Sequence, residues 1–186
     1  MSIAIAVARA TLDDLMRYDG SAELIGGRIV TYMATGFRPN LVAGRIFRRL
    51  ADYADATGHG VALTDNVGFA VPEMSTGRES FSPDAAYYTG PLPADLMRFV
   101  PGPPDFAVEV RSENDYGPAA DADIAAKRAE YFEAGTLVVW DVDPIAGVVR
   151  RYRADSETPM TFRAGSEADA EPAVPGWRLS IDWLMA

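Results

Sequence analysis

The chain carries sixteen arginines but a single lysine, Lys127. Over residues 119–134 a helical period puts Ala120, Ile124, Lys127 and Tyr131 on one stripe, the face that turns to a core. Two acids stand upstream in apolar, strand-like surroundings: Asp84 in Ser82-Pro83-Asp84, and Glu109 in Phe106-Ala107-Val108-Glu109-Val110. An acid beside an apolar core is costly unless it is solvated, paired or bound to a metal. Two carboxylates and one inward ammonium make a minimal site for metal-and-water hydrolysis. Mg2+, with Mn2+ as its substitute, takes one or two carboxylates, a backbone carbonyl and several waters. Asp84, Glu109 and the Val110 carbonyl are the expected ligands, and Lys127 is the expected group to orient water and offset charge building on phosphate.

Composition excludes other chemistries. Zero cysteines remove disulfides, thiol nucleophiles and cysteine–zinc sites, and a sole histidine, His59 in a Gly-flanked turn, removes histidine metal clusters. No phosphate-binding G-x-x-x-x-G-K-[ST] loop and no G-x-S-x-G elbow occurs. Hydrophobic content of 48% and charged content of 24% suit a globular protein, and 186 residues fit one domain spanning 1–186. No window reaches the length of a membrane span. The Ile3-Ala4-Ile5-Ala6-Val7-Ala8 run lacks a preceding basic segment, so a cytoplasmic location is expected.

These side chains need elements to hold them. Thr11 caps a short helix over residues 12–18. Ala22 to Ile25 and Arg28 to Met33 read as a hairpin closed by Gly26-Gly27. Residues 40–56 form an amphipathic helix with Val42, Ile46, Leu50 and Tyr53 inward. Residues 61–71 are β-rich with a break at Asp65-Asn66, and Phe81 to Tyr88 reads as one strand with Asp84 near its middle. In the strand 105–111, period two separates Phe106, Val108 and Val110 from Asp105, Ala107, Glu109 and Arg111. The Lys127 helix ends at Gly135, and strands 136–142 and 148–153 answer each other across a turn. Residues 154–175 read as irregular with one edge strand near Met160, followed by a final strand and short helix. Taken singly, the site residues have plain structural readings: Glu109 or Arg111 pairing across a neighbouring strand, Asp123 and Lys127 forming a helix pair. Their combination is what points to chemistry.

A resemblance joins these stretches. Pro83-Asp84, residues 104–112, Lys127-Arg128-Ala129-Glu130-Tyr131, Ala134-Gly135 and residues 138–144 resemble the restriction-endonuclease-like family of bacteria, a branch of the PD-(D/E)XK nuclease superfamily. The likeness extends to residues 22–27 and 174–177, and so covers most of the chain. It implies an α/β restriction-endonuclease-like core, a mixed central β-sheet flanked by α-helices, with a Mg2+-dependent phosphodiesterase site. Asp84 and Glu109 match the family's metal-binding acids, and Lys127 matches a lysine moved from strand to helix. Arg111 stands at the superfamily's usual strand lysine, so it joins the catalytic candidates. Glu23 matches an accessory acid of the first hairpin. Asn40 stands where relatives commonly have histidine; it can donate a hydrogen bond but cannot act as a base.

The resulting expectation is an endonuclease acting on nucleic acid, DNA first, with a homodimer as the assembly. A net charge of −10 opposes nucleic acid at long range, so local basic surfaces are required. Arg45, Arg48 and Arg49 on one helix face, and Arg151 and Arg153 on one strand face with Arg150 alongside, are the candidates. Two alternatives stay open: a non-catalytic binding module on the same fold, and a metal-dependent hydrolase of a small phosphorylated molecule, which an acidic surface tolerates better.

Overall fold

The computed structural model describes residues 9–186, so the Ile3 to Ala8 run lies outside the described residues. Helix α1 (Leu12–Met16) begins with a capping box in which Thr11 and Asp14 satisfy each other's backbone amides. Strands β1 (Ala22–Ile25) and β2 (Arg28–Thr31) pair antiparallel. Both residues of their two-residue turn, Gly26 and Gly27, have positive φ (59° and 69°), the conformation such a turn demands. Helix α2 (Phe37–Thr57) starts three residues earlier than its apolar periodicity indicates and buries Val42, Ile46 and Leu50. Strands β3 (Val61–Thr64) and β4 (Phe69–Ala70) are separated at Asn66, whose φ is 69°.

The expected strand from Phe81 to Tyr88 is two strands. β5 (Ser80–Phe81) pairs with β4 in a small sheet, and β6 (Ala85–Tyr88) pairs in the main one. Pro83, which has no amide hydrogen to give a ladder, lies between them. Asp84 therefore directly precedes a strand instead of lying inside one. β7 (Val100–Pro101), within the proline-rich loop, completes the small sheet beside β4.

Strand β8 (Phe106–Val110), helix α3 (Pro118–Ala134) and strand β9 (Val138–Asp143) form a β-α-β unit with β8 and β9 parallel. Proline at its first turn starts α3, and Gly135 at φ 111° ends it in a conformation disfavoured for other residues. β10 (Val148–Arg153) returns antiparallel to β9. The acidic stretch is more ordered than expected, holding β11 (Ser156–Phe162) on the sheet edge and β12 (Glu167–Ala170) against β13 (Val174–Ser180). Helix α4 (Ile181–Met185) closes the chain.

The main sheet has six strands in the order β11-β10-β9-β8-β6-β3. On one face α2 packs with Phe106, Val108 and Val110, around an aromatic group of Phe106, Trp140 and Trp177. On the other, Ala107 and Val139 meet Phe69, Phe81 and Tyr131 of α3, with the Phe81 and Tyr131 rings stacked at 4.1 Å. The fold class is thus the expected mixed α/β sheet flanked by helices. No helix among the described residues is long and apolar enough to cross a membrane.

Candidate active site

Glu109 points from β8 toward α3, where both of its oxygens are held. Tyr131 donates its hydroxyl to Oε1 at 2.6 Å, and the Lys127 ammonium lies 2.9 Å from Oε1 and 3.0 Å from Oε2. The inward stripe of α3 positions both partners, four residues apart on one face. Lys127 thus faces inward, as its spacing predicts, and its contacts run across the fold instead of to Asp123. Its Nζ also lies 3.2 Å from Glu23 Oε1. Burial opposes the Lys127 charge, but Glu109 and Glu23 outweigh it and hold the ammonium firmly protonated.

Asp84 meets Glu109 through strand pairing. Ala85 stands opposite Val108 in the β6–β8 ladder, and the Asp84 amide extends that ladder by donating to the Val108 carbonyl at 3.0 Å. Its Oδ2 accepts the Val110 amide hydrogen at 2.6 Å. Burial, then the charge of Glu109, pushes the Asp84 carboxyl up to about 7, against the pull of the Val110 amide and Lys127. Burial likewise raises Glu109, with Glu23 adding to the shift and Lys127 and Tyr131 opposing it. Two acids with raised affinity for protons, side by side, form a place where added positive charge is favoured. Their fit to a divalent cation follows from that electrostatics and from the hard oxygen donors. Among the described residues no group of three His, Cys, Asp or Glu side chains converges as a metal cage, so Asp84 and Glu109 are the carboxylates on which such a site would depend.

Glu23, expected only as an accessory acid, is the buried centre of the network. It is fully buried and accepts from the Tyr32 hydroxyl (2.6 Å) and the Ser82 amide (2.9 Å), while pairing with Lys127 and Arg78. Burial alone would raise its pKa, but the two cations and two hydrogen bonds carry it below the ordinary value. Arg78, itself buried, bridges onward to Glu130 at 2.6 Å, and Thr76 donates to that same acid at 2.5 Å. The sequence reading missed Arg78, Glu130 and Tyr32. Glu130 carried a signal, since it lies three residues after Lys127 on the same inward stripe.

Other expected participants lie elsewhere. Arg111 grips Asp141 through two hydrogen bonds of 2.7 and 2.8 Å and reaches Asp121 at 2.7 Å, so its fork is committed to the neighbouring strand and helix. It does not join Asp84, Glu109 and Lys127. Asn40 is exposed in the first turn of α2 and makes no side-chain hydrogen bond among the described residues. Arg45, Arg48 and Arg49 all lie over the Trp183 ring, and Arg45 also donates to the Leu184 and Ala186 carbonyls. Arg151 pairs with Asp169 and Arg153 with Asp155. Arg151 and Arg153 stand opposite Trp140 and Val138, core residues of the α2 face. Arg45, Arg48, Arg49, Arg151 and Arg153 therefore belong to the side of the sheet away from Glu109, because α2 and α3 cover opposite faces, whereas Arg150 projects to the Glu109 side.

Residues 10–182 match the Uma2 family, described as "Putative restriction endonuclease". The fold superposes on the crystal structure of "a putative nuclease belonging to DUF820 from Anabaena variabilis ATCC 29413" with a TM-score of 0.74. That match covers 94% of this chain and 97% of the other at 17% identity, a likeness of fold. No curated protein matches the chain.

Proposed function

The chain belongs to the Uma2 family of restriction-endonuclease-like proteins, and from that membership we propose a Mg2+-dependent endonuclease that hydrolyses phosphodiesters of DNA. The observation that carries this reading is the Lys127 ammonium held between Glu109 and Glu23, beside an Asp84 carboxyl raised to about 7. Asp84, Glu109 and the Val110 carbonyl are the proposed ligands, for Mg2+ or Mn2+. Bound there, the cation would supply Lewis-acid polarisation of the phosphodiester and a more acidic water. The protein's own contribution is orientation. The Val110 amide fixes one Asp84 oxygen, and Tyr131 fixes Glu109. Glu23, itself held by the Ser82 amide and Arg78, keeps Lys127 in register with Glu109. Lys127 then offers a fixed positive charge where the phosphoryl group gains negative charge, without rearrangement during reaction.

Arg111 has a positioning role in this reading, tying the end of β8 to β9 and the first turns of α3. Cleaving both strands of a duplex takes two such sites, so a homodimer is the expected working form. Plasmid nicking in Mg2+ tests the proposal, with Asp84→Asn and Lys127→Met as controls. Nicking by the native protein alone supports it. Stabilisation by metal without nicking points to a small phosphorylated substrate, and absence of both points to a binding module.

A further inference from the structure

A polar cleft of about 450 Å³ opens on the α3 side of the sheet. Glu109 is paired in register with Asp141 across β8–β9, and Asp141 with Arg150 across β9–β10. Residues opposite one another in a ladder project to the same face, so these three form a row across three strands. Two strand spacings, about 10 Å, separate the first from the last. The roof repeats the arrangement: Lys127 of α3 meets Glu109, while its neighbour Arg128 lies over the Tyr152 ring at 3.7 Å.

The three guanidinium groups lining this cleft differ in how far they are satisfied. Arg111 is engaged by Asp141 and Asp121. Arg128 rests on an aromatic face and pairs with no carboxylate among the described residues. Arg150 lies 3.7 Å from Asp141 and 3.6 Å from Asp143, beyond hydrogen-bond length. Its Nη1 is buried and has no hydrogen-bond partner. Asp143 is turned to other donors, its Oδ1 accepting from Tyr116 and from the Ile145 and Ala146 amides. Arg150 is thus held by two long ion pairs and no hydrogen bond to either acid, and the exposed 29% of its side chain lines the cleft, where an incoming oxygen can be met.

We infer that Arg150, with Arg128 beside it, binds a phosphodiester of the substrate strand flanking the one held at Asp84 and Glu109. A planar fork suits two phosphate oxygens, and the row from Glu109 to Arg150 gives the strand a path along the same sheet face. The inference rests on the nuclease reading. It also gives a chain of net charge −10 a local place for a polyanion, where Arg128 and Arg150 stand beside the candidate site in a cleft whose aspartates are engaged by Arg111, Tyr116 and backbone amides.

Steady-state cleavage of a fluorogenic DNA duplex across a salt series tests it. Arg150→Gln is expected to raise KM about tenfold with kcat within twofold of native. It should also make the fall of log(kcat/KM) with log salt shallower by about 0.9, the value for one lost phosphate contact. Arg150→Lys, which keeps the charge, should restore the salt slope. Arg128→Gln carries the same expectation from a helix surface and serves should Arg150→Gln fail to fold. Native KM and slope in a folded Arg150→Gln protein, or in Arg128→Gln where that protein does not fold, overturn the subsite while leaving the nuclease reading intact. A native protein that does not cleave DNA at all removes both.

Discussion

Consecutive residues of β8 look onto two different environments. Phe106, Val108 and Val110 face α2 among Trp140, Trp177 and the aliphatic side chains of that helix. Glu109 faces α3, where Lys127, Glu23, Arg78 and Glu130 form a chain of ion pairs largely shielded from water. On the α2 face each side chain contributes volume and apolar area, so damage is local. On the α3 face the charges satisfy one another, so removing one leaves others buried without a partner. The sheet is thus held from one side and equipped for chemistry on the other.

Substitution at Lys127 is expected to have the largest effect, since it joins both roles. Lys127→Met leaves Glu109 and Glu23 with less positive charge and should destabilise the protein by about 3–5 kcal/mol. It should also lower kcat roughly 10²–10³-fold through loss of a preorganised cation. Trp140→Ala should cost a similar 3–5 kcal/mol through the cavity it leaves. Urea denaturation compared with turnover per folded molecule separates the two: the folded fraction of Trp140→Ala keeps native turnover, and that of Lys127→Met does not. Equal turnover losses would erase the distinction between the faces.

Asp84 sharpens the comparison through pH. Its folded pKa of about 7 lies above the ordinary 3.8, so the fold prefers the protonated form. That contribution is complete below about pH 4 and is lost as pH rises through 7. Asp84→Asn mimics the neutral acid. Its melting temperature, measured without metal, should match native near pH 4 and exceed it at pH 8. Each 1 kcal/mol of difference corresponds to roughly 2–4 °C. A gap that narrows as pH rises contradicts the assignment. The smallest effects belong to the exposed arginines of the opposite side. Arg153→Ala and Arg48→Ala should leave the melting temperature close to native and cleavage unaltered. Loss of DNA binding in either variant would move the substrate path to the α2 face.

The sequence announced the two faces unequally. Apolar periodicity locates α2, β8 and α3, because a side chain's burial there follows directly from its spacing. It also aims Lys127 inward. Period two divides Arg150 from Arg151 and Arg153, yet gives no sign of which side meets Glu109; that depends on α2 and α3 taking opposite faces. Buried charges leave no pattern of their own, which is why Arg78 and the central place of Glu23 were not legible. Asp84 was legible as a residue but not in its setting, since Pro83 divides what reads as a continuous strand. β11 was legible only as a short edge strand near Met160, and β12 escaped notice because its Glu-Ala-Asp-Ala run lacks the large apolar residues that mark a half-buried strand.

Isothermal titration with Mg2+ at pH 6.5, in buffers of different ionisation enthalpy, tests most directly whether the α3 face holds a metal site. The native protein should bind with release of a proton fraction, because Asp84 must ionise to become a ligand, and Asp84→Asn should bind far more weakly with no such release. Binding of equal strength and equal proton release in both proteins would place the metal elsewhere and contradict the account.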